Sequence, residues 1–190
     1  VMHFLKCSGL RIKSVALFLV IVALCIVAYT WLMARFGYGT PPQDRPPTEQ
    51  ANQVVIHKVS RTLELRRNHQ VIARYRISLG RAADQGPKMR EGDQKTPEGR
   101  YAIDWRNARS KYHLSLHISY PDAHDSQRAK AGGYKPGSNI MIHGLPNGWG
   151  WLAPIFQRLD WTDGCIAVSN KEMREIWARL PAGVPVEIMP

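Results

Sequence analysis

The chain is poor in cysteine: Cys7, Cys25 and Cys165 are all it has in 190 residues. A disulfide framework or a thiolate metal cluster needs several thiols in one domain, and the part after residue 50 offers one. Cys165 is therefore either buried filler or a reactive thiol. A redox role finds no resolving cysteine nearby. Acidic residues are also scarce, 15 against 26 basic, for a formal net charge of +11. Strong helical periodicity is equally rare beyond residue 50, and no internal repeat is present. These absences argue against a helical bundle and against a repeat array.

One long apolar run is present, at residues 15–34, and it carries no charge. Twenty helical residues span about 30 Å, the thickness of a bilayer core. Lys6, Arg11 and Lys13 precede it, and only Arg35 follows closely. That asymmetry places the N-terminus in the cytoplasm and the rest outside. The run is longer than the core of a cleaved signal peptide. It is expected to be a single-pass signal-anchor in the inner membrane. Residues 1–14 then form a basic cytoplasmic region, 15–34 the anchor, 35–50 a Pro-rich and poorly packed tether, and 51–190 the folded domain. That domain keeps 21 basic against 13 acidic residues. For an exported domain this suits an anionic envelope polymer or a membrane surface, and no nucleic acid.

Alternation of apolar and polar residues predicts strands at 54–59, 62–67, 70–80, 99–106, 114–120, 139–144 and 184–189. Asn68-His69 is a plausible hairpin turn between the second and third. Inward residues are expected at Val71, Ala73, Tyr75, Ile77 and Leu79, and at Tyr101, Ile103 and Trp105. Outward residues include Arg74, Arg76 and Ser78. Pro185 pushes the last strand toward a sheet edge. One strong helix is predicted at 171–180: Ser169 and Glu172 form a capping box, Met173, Ile176, Trp177 and Leu180 make the buried stripe, and Pro181 stops it. A short helix is expected near 152–159. The fold class is mainly β, a β-rich α+β sandwich or barrel with one main C-terminal helix. The polar loop 80–99 is long enough to be functional or mobile.

A thiol near its ordinary pKa is only slightly ionised at neutral pH, so a cysteine nucleophile needs a base or an electropositive setting. The candidate bases are His57, His69, His113, His117, His124 and His143. His143 stands out because it ends a predicted strand and is followed by Gly144. Gly164 similarly precedes Cys165, and tight turns with available N–H groups are what an oxyanion site requires. On the residues alone, an inert buried cysteine and a structural strand-end histidine are the commoner reading.

The segments "IHGLPNG" and "DWTDGCIAVSN", with "GDQKTPEGRY" upstream, resemble the signature of the L,D-transpeptidase catalytic domain, the YkuD family. The resemblance covers about residues 52–190. It implies a YkuD-like β-rich fold and chemistry without metal or cofactor on diaminopimelate-containing stem peptides of peptidoglycan. It implies Cys165 as the nucleophile that forms a thioester, His143 as its base, and the Gly144 carbonyl as the group that orients the imidazole. Amides around Thr162, Asp163, Gly164 and Cys165 would form the oxyanion turn, although Thr162 is equally read as only capping it. Asn147, Trp149 and Trp151 are candidate substrate contacts in a glycine-flanked loop, although tryptophans are as readily core. The family's usual second histidine is Asp163 here, and an arginine often found two residues after the cysteine is Ala167. A carboxylate near the sulfur would raise the thiol pKa, so Asp163 is expected to point away or to pair with a base. These departures resemble a subgroup with one member that is a hydrolase detaching an outer-membrane lipoprotein from peptidoglycan. Transfer to an amine, hydrolysis of a lipoprotein or stem-peptide linkage, and a non-catalytic wall-binding module are thus the three functional readings.

Overall fold

The computed structural model describes residues 2–190, with side chains from residue 13 onward. The side chains of Lys6, Cys7 and Arg11, on which part of the orientation argument rests, lie outside the described residues. Helix α1 (Met2–Phe36) opens the chain. Its Lys13–Phe36 portion, of mean hydropathy 2.7, is long and apolar enough to cross a membrane. Because it is apolar on every side, it cannot be the amphipathic helix of a packed core, and its apolar stretch is exposed.

The expected loose tether is in fact laid along the domain. Gly39 is buried, and its amide donates to the His113 carbonyl at 2.8 Å. The Arg45 amide donates to Ala178 at 2.7 Å, and Arg106 holds Asp44 at 2.8 Å. Proline stiffens this segment into an extended form, and the extended form then docks.

Eight strands follow: β1 (Gln53–His57), β2 (Thr62–Arg67), β3 (Gln70–Arg76), β4 (Gly99–Asn107), β5 (Ser115–Ile118), β6 (Met141–His143), β7 (Ile166–Ala167) and β8 (Pro185–Met189). They form one sheet in the order β3-β2-β1-β8-β4-β5-β6-β7. The sheet curls until its ends meet. Ser78 exchanges backbone bonds of 2.9 and 2.8 Å with Ala167, and Gly80 bridges Thr162. Asn68 and His69 both take positive φ, 49° and 68°, as the tight β2–β3 hairpin demands.

Four readings of the strands need correction. Strand β8 is central, parallel to β1 and antiparallel to β4. Pro185 is tolerated there because it is the strand's first residue, where a missing N–H costs little. Trp105 is half exposed and stacks on His117, because a bulge between Ile103 and Trp105 breaks the alternation. Val71 is exposed on the outermost strand next to a second bulge, while Ser78, expected outside, is buried by its bridge to Ala167.

The interior is filled by alternate strand residues such as Val54, Ile56, Leu63, Leu65, Ile103, Leu116 and Ile142. Each fully buried aliphatic side chain contributes about 1.5–3 kcal/mol. Three further helices complete the chain: α2 (Ala123–Ala131), the short α3 (Ala153–Phe156) after a 3-10 turn at Gly150–Leu152, and α4 (Asn170–Arg179). Helix α4 carries the expected reciprocal Ser169–Glu172 cap and buries Met173, Ile176 and Trp177 against the sheet. Helix α2 was not foreseen, since it has no apolar stripe. Its Asp122–Asp125 capping box holds it, and it buries only Asp125 and Ala129.

Candidate active site

Parallel strands β6 and β7 bring His143, at the end of β6, near Cys165, just ahead of β7. His143 is in register with Ala167, and Ile142 with Ile166. Cys165 stands just before β7, two residues ahead of Ala167. Both residues line one cavity of about 770 Å³.

His143 is buried, and its Nδ1 lies 2.6 Å from the Gly144 carbonyl oxygen. A carbonyl only accepts, so Nδ1 carries the proton and Nε2 keeps a lone pair. Gly144 is itself fixed. Its amide donates to Tyr112 and Leu114 at 3.1 and 3.2 Å, and the next amide, Leu145, donates to Asn170 Oδ1 at 2.8 Å. A Cβ on Gly144 would come within 2.7 Å of that same Oδ1, which is why glycine stands here. Tyr112 lies against the imidazole, 4.6 Å between ring centres, and Trp161 meets it edge-on at 5.8 Å. Phe156 backs Trp161 at 5.0 Å. Burial among these rings pushes the imidazole pKa down to about 4, against a smaller opposing effect of the Gly144 bond. His143 is a neutral acceptor at neutral pH.

Cys165 sits at the end of a clamped turn. Thr162 Oγ1 donates to the Cys165 carbonyl at 2.7 Å and accepts from the Gly164 amide at 3.2 Å. Gly164 adopts φ +127°, and a Cβ there would strike the Lys95 carbonyl at 2.6 Å. The loop 80–99 thus presses on the turn from outside. It is a compact structure in its own right: Asp93 accepts from the amides of Met89, Arg90 and Lys95, and buried Lys88 reaches Asp93 at 2.8 Å. The half-buried sulfur lies 3.5 Å from the Asn139 carbonyl. Burial raises its pKa first of all. A Met141 backbone hydrogen bond and the charge of Lys88 oppose this, and Asp163 adds to it. The resting pair is a neutral thiol beside a neutral imidazole.

Asp163 is exposed and pairs with Arg81 at 3.2 Å. Its charge still acts on the sulfur. Trp149, Trp151 and Asn147 do not line this cavity. The Trp149 ring instead meets Tyr29 of α1 edge-on at 5.7 Å, and Trp151 projects into solvent. Asn147 is buried, accepting from the His113 amide at 2.7 Å and donating to Ser110 at 2.9 Å, so it braces the loop that carries Tyr112. The cavity wall is built by residues not singled out from the sequence: Tyr112 and Trp161, with Arg81, Arg109 and Lys111 as cations. Trp161 lay inside the quoted motif and was the one that could have been found. Tyr112 precedes β5 and carries no sequence signal. A second cavity of about 410 Å³ reaches Cys165 from the side of Lys88, Gln94 and Asn139.

Residues 51–188 match the YkuD family, the L,D-transpeptidase catalytic domain. Over 141 residues the chain is 30% identical to "Putative L,D-transpeptidase YafK" of Escherichia coli strain K12, a match covering 70% of this chain and 55% of that protein. The chain spans about half the length of the curated relatives it matches. Among solved structures, the fold is similar to the helical cell shape determining protein Pgp2 from Campylobacter jejuni, with TM-score 0.54, 22% identity, and coverage of 84% of this chain and 54% of that one. It is also similar to Bd1075 of Bdellovibrio bacteriovorus, with TM-score 0.51, 24% identity, and coverage of 80% and 52%.

Proposed function

Because the chain belongs to the YkuD family of L,D-transpeptidase catalytic domains, we propose that it is a peptidoglycan-modifying enzyme in which Cys165 and His143 carry out acyl transfer. The observation that carries this reading is the shared cavity: His143, its tautomer set by Gly144, lines the same cavity as Cys165. As the sulfur attacks a peptide carbonyl carbon, its proton passes to His143 Nε2. The oxyanion is met by the backbone amides of the 162–165 turn. The Gly164 amide is already engaged by Thr162, which leaves those of Asp163 and Cys165 as the donors. The carbon–nitrogen bond then breaks, and His143 returns the proton to the leaving amine. A thioester remains on Cys165. An acceptor amine attacks it, gives its proton to His143, and the thiolate departs and recovers that proton.

Arg81, Arg109 and Lys111 ring the larger cavity, with Asp163 as its one acid. That charge suits a peptide bearing free carboxylates, such as a diaminopimelate-containing stem peptide. The second cavity gives the acceptor its own approach to the sulfur. Helix α1 anchors the domain on the outer, periplasmic side of the cytoplasmic membrane.

Incubating the full chain with purified muropeptides, with and without a linked lipoprotein, tests the reading through product masses. Cross-linked dimers are expected. Trimmed stems or a released lipoprotein would make water the acceptor and the protein a hydrolase. No product from wild type, together with no mass adduct from a carbapenem on Cys165, would reduce it to a wall-binding module.

A further inference from the structure

The segment 149–159 carries an apolar stripe that stays exposed among the described residues. Trp151, Ile155 and Leu159 are spaced by four residues and are 70%, 56% and 56% exposed. Trp151 lies on the 3-10 turn, Ile155 on α3 and Leu159 just past it. Val59, 79% exposed, lies beside Leu159 in a hollow bordered by Arg61, Arg76 and Arg158, with Asp84 and Asp160 both paired to Arg61. The segment is not loose. Arg76 holds the Gln157 carbonyl at 3.0 Å, Ser78 holds that of Phe156 at 2.8 Å, and Phe156 packs on Trp161. An apolar face held this rigidly in water is costly unless it has an occupant.

Helix α1 shows where that occupant is. The Tyr29 hydroxyl donates to the Gly148 carbonyl at 2.9 Å, the Tyr29 ring packs on Trp149, and Trp149 leans on Trp151 at 6.2 Å. Tyr29 lies five residues before the end of the apolar run, about 7 Å along the helix axis. With α1 across the bilayer, that contact holds the start of the stripe below the membrane surface. Interfacial helices bury their apolar face by about 5–10 Å, the same depth. Tryptophan and tyrosine favour this layer, and arginines at its edge meet lipid phosphates.

We propose that the 149–159 stripe is a membrane-docking face, seated in the headgroup–acyl boundary of the bilayer that α1 crosses. The proposal rests on the anchoring role of α1 given above. Docking fixes the orientation of the catalytic domain, because Trp161 of the cavity wall follows Leu159 by two residues.

Spin labels on the full chain test it, in vesicles of phosphatidylethanolamine and phosphatidylglycerol. Cys7, Cys25 and Cys165 are replaced by serine, and one cysteine is introduced as Leu24→Cys, Ile155→Cys or Lys130→Cys. Lys130 is exposed on α2, beyond the far end of β5 from His113. Collision rates with oxygen and with a water-soluble nickel chelate report depth. Labels at 24 and 155 are expected to favour oxygen, with 155 the shallower, while 130 favours nickel. A lipid-buried label at 24 with 155 as wet as 130 overturns docking and spares the anchor. A wet label at 24 overturns both. Spin–spin broadening at 155 that survives dilution with lipid would mean that a second copy covers the stripe, and would also overturn docking.

Discussion

The ring nitrogen Nδ1 of His143 lies 2.6 Å from the carbonyl oxygen of Gly144, its immediate neighbour in sequence. One short bond thus makes Nδ1 the donor and leaves Nε2 with its lone pair. No carboxylate is required for it, so the imidazole stays weakly basic in its aromatic pocket. Acylation of Cys165 by a carbapenem should therefore hold its rate from neutral pH down toward pH 4 and fall below that, where the imidazole takes a proton. An ordinary histidine would lose activity near pH 6.5. Stopped-flow acylation against pH checks this. His143→Gln should cost about 10²–10⁴-fold in rate, as loss of a general base does.

The same depressed pKa makes folding pH-dependent. The unfolded chain protonates this histidine near pH 6.5, the folded one only near 4. The unfolded state therefore binds more protons between those values, and stability falls as pH drops through that window. The loss should approach about 3 kcal/mol and be complete near pH 4. Urea titrations at pH 7.5 and 4.5 should show it, and a His143→Leu variant should show a smaller difference between the two.

Asp163 is exposed yet raises the thiol pKa. Asp163→Asn should lower that pKa and speed alkylation by iodoacetamide a few-fold at pH 8. Stability should change by less than about 1 kcal/mol, because the Arg81 pair lies in water. An unchanged alkylation profile would show that the carboxylate does not reach the sulfur.

Gly164→Ala should be severe. The new methyl meets the Lys95 carbonyl, and φ +127° is strained for any L-residue, at about 1–3 kcal/mol. A lower thermal midpoint and loss of carbapenem acylation are expected together.

Asn147 separates two roles. Its side chain is spent on Ser110 and His113, so Asn147→Ala should leave unsatisfied buried groups and cost about 1–3 kcal/mol. KM for muropeptides should barely move. A large rise in KM at unchanged stability would return this residue to the substrate.

Much of the sheet was legible because alternation survives wherever one strand face is buried, as along β2 with Leu63 and Leu65. Helix α4 was legible because its cap and its stripe agree. The failures occurred where tertiary contacts override local pattern. Bulges displaced Trp105 and Val71, and Pro185 found the one position where a central strand accepts it. Two-residue β7 is too short to show any period. At the candidate site, the motif pointed to Cys165, His143 and Gly144; the first two line one cavity, and the third holds the imidazole. The cavity walls depend on which rings the fold stacks together, so Tyr112 was invisible, and Trp149 meets Tyr29 rather than lining the cavity.

The segment between helix and domain, pinned by Gly39 at His113 and by Arg45 at Ala178, sets a working distance. A free chain of sixteen flexible residues would let a domain roam about 20 Å or more from its root. Here that slack is taken up. On the proposed anchoring of α1 and the proposed role of Cys165, the sulfur would reach only the layer of envelope next to the membrane, and strands of wall further out would have to be brought to it.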